Sequence, residues 1–100
     1  MAEPAHIAVS PHNYNSTTLG LAATLHAAAA MPNFLITEYF VNFEPRGAEV
    51  AVTPFRVEQG YLTVPTAPGL GIELREDVLA RYAYREFPAR TVPSPGDEGP

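Results

Sequence analysis

The sequence contains no cysteine and no lysine. The first absence removes disulfides, thiolate metal sites and Cys nucleophiles, and the second removes a Schiff-base amine and a phosphate-cradling Lys. Positive charge is sparse, since 6 scattered Arg face 11 Asp and Glu for a formal net charge of −5. That balance argues against nucleic acid and anionic membrane as partners, because both need clustered positive charge. Long apolar runs are missing too. The longest, residues 19–31, is too short to span a bilayer and contains Thr24 and His26. The N-terminus has no basic region and no apolar stretch long enough for a signal peptide, and it carries Glu3 and Pro4. A cytoplasmic protein is the expectation.

What the sequence does have is concentrated between Ser10 and Glu38. Residues 7–9 form a short apolar run closed by Ser10-Pro11, the pattern of a strand covered on both faces. Pro11 cannot donate to a ladder and ends it. His12 follows where the chain leaves the sheet, and Asn13, Asn15, Ser16 and Thr17 offer side-chain acceptors for a helix start. Residues 17–31, nearly all Ala and Leu after the cap, predict a helix without a broad polar face, which Gly20 and the alanines let pack closely. Pro32-Asn33 breaks it. Residues 34–40 predict a second strand with Phe34, Ile36 and Glu38 on one face.

A strand, a helix and a strand in this order predict a right-handed parallel unit, in which functional groups gather at the carboxyl ends of the strands. His12 and Glu38 both fall at that end. A carboxylate sharing a face with Phe34 and Ile36 is costly unless it reaches water or a partner, which marks Glu38 as a site candidate. The plainer readings are a capping or loop His and a solvated strand-terminal carboxylate.

Three motifs carry a family resemblance: Val9-Ser10-Pro11-His12-Asn13, Pro32-Asn33-Phe34-Leu35-Ile36-Thr37-Glu38, and Val64-Pro65-Thr66-Ala67-Pro68-Gly69-Leu70-Gly71-Ile72-Glu73. With the Ala-rich helix between the first two, they resemble the C-terminal part of the mandelate racemase/muconate lactonizing enzyme branch of the enolase superfamily, above all its acid-sugar dehydratases. The resemblance covers most of residues 5–83.

The resemblance implies an α/β fold class: the C-terminal fragment of a (β/α)8 TIM-type barrel, with its last two strands, the helix between them, and a loop-rich tail holding a small hairpin. Residues 1–42 would be the partial barrel. Residues 43–87 would pack on the barrel or the capping domain, and residues 88–100 would be a disordered tail. Two parallel strands and one helix cannot cover both faces of the sheet they imply, so the chain does not read as self-sufficient, and Met1 is expected to mark an internal position of a longer protein.

By the same resemblance His12 is the general acid or base acting at the carbon next to a substrate carboxylate, a task suited to a side chain that titrates near neutrality. In the family such a His pairs with an Asp of the preceding strand, which this chain does not contain. Glu38 is the group that hydrogen-bonds the substrate carboxylate and strengthens that bond as the enediolate forms. That role needs a protonated carboxyl, which burial among apolar side chains favours. Asn13 is a helix-entry residue placed to touch a sugar hydroxyl. Mg²⁺ would serve the complete enzyme, but the family's acidic ligands lie on the third to fifth strands and its Lys base is also absent, so this chain alone is expected to bind no metal and to be inactive. The implied partners are a sugar-acid substrate, the remaining barrel and the capping domain, in a protein that is a homo-oligomer when complete. A non-catalytic remnant or interaction fragment that needs a complementary barrel piece is the alternative.

The rest of the chain holds weaker signals. Glu44-Pro45-Arg46-Gly47 reads as a turn or loop, residues 50–57 and 61–64 as a small antiparallel hairpin about Gln59-Gly60, residues 65–71 as irregular, and residues 76–84 as a short helix. His6 and His26 lack the spacing of a chelating pair with His12, and His26 reads as a packed helix residue. Gly69-Leu70-Gly71 lacks the feeding strand and third Gly of a dinucleotide loop, and Ser16 lacks a nucleophile elbow.

Overall fold

Thr17 decides where the first long helix begins. In the computed structural model, which describes residues 2–14 and 16–87, Thr17 is extended and its Oγ1 accepts the Gly20 N–H at 3.2 Å, capping α1 (Thr18–Ala29). The expected cap residue Asn15 and the expected tail 88–100 lie outside the described residues. Thr18, Leu21, Ala22, Leu25 and Ala28 are the buried face of α1, spaced by threes and fours. The helix stops short of the expected Met31 because Pro32 disfavours helical geometry in the residue before it.

Before and after α1 the chain pairs in parallel at Val9 and Phe34. The Val9 N–H donates to the Asn33 carbonyl at 2.8 Å, the Leu35 N–H to the Val9 carbonyl at 2.9 Å, and the Glu38 N–H to the Pro11 carbonyl at 3.2 Å. The expected strands over 7–9 and 34–40 are therefore corrected to one isolated bridge with flanking bonds, and no longer ladder exists among the described residues. Ile7, Phe34, Leu35 and Ile36 are all exposed, so among the described residues little covers these side chains, and the apolar burial expected around Glu38 is not there.

The segment 44–47 is not a loop. A 3₁₀ turn (Val41–Phe43) runs into α2 (Glu44–Val50), whose first turn holds Pro45, a position where its fixed φ fits and its missing N–H costs nothing. Gly47 lets α2 approach α1: the Thr18 hydroxyl donates to the Gly47 carbonyl at 3.4 Å, and a Cβ on Gly47 would stand 3.0 Å from the Thr18 Oγ1.

The expected hairpin is also redrawn. Residues 50–52 pair with 73–75, not with 61–64: the Arg75 N–H donates to the Val50 carbonyl at 2.8 Å and the Val52 N–H to the Glu73 carbonyl at 2.9 Å, about an antiparallel bridge between Ala51 and Leu74. Only the hairpin tip remains, where Gln59 and Gly60 both take positive φ and Glu58 and Tyr61 exchange N–H···O bonds of 2.9 Å. The last helix, α3 (Glu76–Leu79), is shorter than expected because residues 81 and 82 close tighter turns onto Val78 and Leu79.

Little of this encloses a core. The buried apolar side chains are Leu21, Ala22, Leu25, Ala28, Ala51 and Val78, most of them small. The radius of gyration is 17.1 Å, against about 13 Å for a compact domain of this length. Among the described residues no helix is long and apolar enough to cross a membrane.

Candidate functional site

The parallel bridge brings His12 and Glu38 to the same end of the unit. Glu38 is held twice along its length. Its backbone N–H donates to the Pro11 carbonyl, beside the Thr37 hydroxyl that donates to the same oxygen at 3.4 Å. Its carboxylate reaches the next turn of chain, where Oε2 accepts the Asn13 backbone N–H at 2.9 Å and lies 2.8 Å from the His12 Nδ1. The side chains of His12 and Glu38 are 81% and 41% exposed.

The pair lines an open cleft of about 380 Å³ with Ser10, Pro11, Ile36 and Thr37. Tyr14, which the sequence does not single out, flanks it: its ring stacks on His12 at 6.4 Å and tilts against Phe40 at 4.6 Å. Asn13 is buried and faces the other way, onto a small cavity of about 30 Å³ shared with Thr17, Tyr39 and Glu44. That is room for about one water. Burial, and then the neighbouring Glu44, raise the Tyr39 phenol above its usual range.

The other histidines stand apart. His6 follows a 3₁₀ turn (Glu3–Ala5) in left-handed backbone, and His26 donates from Nε2 to the Leu70 carbonyl at 3.2 Å, the packed position expected of it. Among the described residues no group of three or more His, Asp or Glu could hold a metal ion. Mg²⁺ prefers several oxygen ligands in octahedral array, and the one carboxylate of the site already receives two donors on one oxygen. The residues present do not fit that ion.

Comparison with known proteins matches residues 1–78 to the family model described as enolase C-terminal domain-like. A D-galactonate dehydratase family member of Streptomyces bingchenggensis (strain BCW-1) is 36% identical over 85 residues, covering 84% of this chain and 20% of that protein. The D-gluconate dehydratase of Thermoproteus tenax is 32% identical over 84 residues, covering 82% of this chain and 16% of its own length. The crystal structure of an enolase of the mandelate racemase subgroup from Agrobacterium tumefaciens superposes with a TM-score of 0.69 at 33% identity, over 81% of this chain and 22% of that one. The chain thus spans about a fifth of the length of the relatives it matches.

Proposed function

We propose that this chain, which belongs to the family of enolase C-terminal domain-like proteins, supplies the proton-moving end of a sugar-acid dehydratase or racemase. The remainder of a (β/α)8 barrel and a capping domain would complete that enzyme, with residues 1–42 closing the barrel and 43–87 packing outside it. The exposed Ile7, Leu35 and Ile36 on either side of the parallel bridge are the surface such a barrel would cover.

One observation carries the reading: a His and a Glu from two adjoining parallel segments meet at 2.8 Å at the carboxyl end of the unit. A neutral imidazole there takes the proton from the carbon next to a substrate carboxylate. A C–H bond breaks, an N–H bond forms, and the C–H electron pair passes into the carboxylate as an enediolate. Re-protonation of that carbon from the opposite face, by a group the rest of the barrel would supply, would complete a racemisation. In a dehydration, the enediolate collapses back to a carboxylate, its electron pair forming a new double bond between the α- and β-carbons while the C–O bond at the β-carbon breaks and the hydroxyl departs as water with the proton returned by the imidazolium. Glu38, in its protonated form, donates to the substrate carboxylate, a bond that helps only to the extent that it tightens as negative charge builds on that oxygen. Asn13 enters through its backbone N–H, which fixes the Glu38 carboxylate.

The test grafts residues 1–83 of this chain in place of the matching segment of the Streptomyces bingchenggensis relative. The purified chimera is incubated with a panel of sugar acids in deuterated solvent. Exchange of the α-proton with at least one of them, lost in His12→Asn, is the expected result. A folded chimera that neither turns over nor exchanges any member of the panel would leave the non-catalytic reading in place.

A further inference from the structure

We propose that Tyr14, backed by Phe40, is a specificity-determining residue that receives the distal end of a sugar-acid chain whose α-carbon stands at His12. The inference rests on the reading of His12 and Glu38 as the reacting centre for sugar acids, and it goes beyond that reading by naming what selects among such acids.

The contact between the two parallel segments repeats. Tyr14 stands two residues past His12, and Phe40 stands two residues past Glu38. His12 meets Glu38 at 2.8 Å, and the Tyr14 ring meets the Phe40 ring at 4.6 Å between centroids. The second pair therefore lies one step further along both segments from the bridge at Val9 and Phe34. The His12 and Tyr14 rings are 6.4 Å apart, matching the advance of about 6 to 7 Å made by two residues of extended chain.

Asn13 puts both rings on the open side. It is buried, its side chain faces the small cavity behind the segment, and its backbone N–H is bonded to Glu38 Oε2. With the middle residue turned in and fastened, the residues before and after it turn out. The His12 side chain is 81% exposed and Tyr14 is 57% exposed, with their ring planes within 25° of parallel. Phe40 is half-buried, lines the same cavity as Asn13, and supports the Tyr14 ring from beneath.

Such a wall suits a polyhydroxy chain. The carboxylate, the α-proton and the β-hydroxyl are common to these acids and are met at His12 and Glu38, so that pair does not tell a long acid from a short one. An aromatic face packs against the C–H groups of the chain, and the phenol can both donate to and accept from a hydroxyl. With the α-carbon at the imidazole, the last carbon and hydroxyl of a hexonic acid fall at the distance of the Tyr14 ring. Glyceric acid, which carries the same reacting groups, ends beside His12.

The test uses the chimera that carries residues 1–83 and a series of acids from glyceric through tetronic and pentonic to hexonic. Binding is read by calorimetry in the His12→Asn chimera, and kcat/KM and α-proton exchange are read with His12 intact. Tyr14→Phe should weaken hexonic acids by about threefold to tenfold, the effect of losing one neutral hydrogen bond. Tyr14→Ala should weaken them further, and Phe40→Leu should act in the same direction. In each variant the loss should appear in Kd and KM and grow with chain length, so that the preference for hexonic over shorter acids shrinks. A loss that is equal along the series marks a merely structural role and overturns the proposal, as does a Tyr14→Ala chimera with an unchanged preference. A preference that depends on Tyr14 in binding, without exchange of any acid, upholds the proposal and refutes the catalytic reading. Exchange without such a preference does the reverse, and a folded chimera that binds none of the acids overturns both.

Discussion

His26 in α1 donates from Nε2 to the carbonyl of Leu70, which lies 44 residues further along the chain, at 3.2 Å. The bond ties the Pro68-Gly69-Leu70-Gly71 turn to the helix that joins the two segments bearing the site. The turn closes on itself with the Gly71 N–H donating to the Pro68 carbonyl at 3.2 Å, and both of its glycines have positive φ.

The two glycines should not tolerate substitution equally. Gly69 has φ +70 with open space around its missing Cβ, so Gly69→Ala should cost only the left-handed backbone penalty of about 1 to 2 kcal/mol. Gly71 has φ +68, and a Cβ there would stand 2.5 Å from the Pro65 Cβ and 3.2 Å from the Ala67 carbonyl oxygen. Gly71→Ala should therefore lower the unfolding midpoint further than Gly69→Ala, and it should also weaken the His26 bond. Equal midpoints in a thermal melt would mean that the turn does not hold this conformation.

Thr17→Ala removes the side chain that receives the Gly20 N–H at the head of α1, for an expected loss of about 1 kcal/mol. Thr17→Asp should restore most of it, since Asp caps as well as Thr. Helix content by circular dichroism and the unfolding midpoint check both. A midpoint indifferent to all three residues would show that packing, not the cap, fixes where α1 starts.

Much of the site and part of the fold are legible in these residues alone. Pro11 and the apolar run before it mark a strand end, and the order of strand, helix and strand predicts parallel pairing of the two segments. The observed Val9 to Phe34 bridge and the meeting of His12 with Glu38 follow that pattern. What was misread has physical causes. Pro45 and Gly47 are breakers inside a helix but permissive in a first turn and at a close helix contact, and sequence does not tell these contexts apart. The pairing of residues 50–52 with 73–75 joins segments over twenty residues apart, whereas the Gln59-Gly60 turn signal is local and draws the eye to the nearer partner. The burial expected around Glu38 failed because the period of a strand says which residues share a face, not whether anything covers that face.

Glu49 and Tyr82 give a prediction in pH. The Tyr82 hydroxyl donates to Glu49 Oε2 at 2.6 Å, and Arg46, paired with the same carboxylate at 3.3 Å, lies against the Tyr82 ring at 5.3 Å from its centre. The Tyr82 hydrogen bond above all, and then Arg46, hold the Glu49 carboxyl below its ordinary 4.5. That contribution to stability is present above 4.5 and is lost as pH falls through the lower folded value. Tyr82 is the mirror case: its bond to Glu49 raises the phenol above 10.0, so the contribution is present below 10.0 and lost as pH rises through the higher folded value. Tyr82→Phe should therefore move the Glu49 titration upward, read by ¹³C chemical shift of its carboxyl. A titration left in place would show that the three side chains do not associate in solution.

The site itself should yield to a comparison of two variants in the chimera. If His12 moves the proton, His12→Asn loses it outright, and turnover should fall by about a hundred- to ten-thousand-fold while substrate still binds. Glu38→Gln should fall less. The amide N–H still donates to the developing oxyanion, so the contact survives in weaker form. Glu38→Leu, which keeps no polar group to make that contact, should lie between Glu38→Gln and His12→Asn. Exchange of the α-proton with deuterated solvent should follow the same order as turnover, because it reports abstraction even when elimination fails. An inverted order, with Glu38→Gln the most damaged of the three in both assays, would transfer the proton-moving role from the imidazole to the carboxyl and leave His12 as the loop residue beside it.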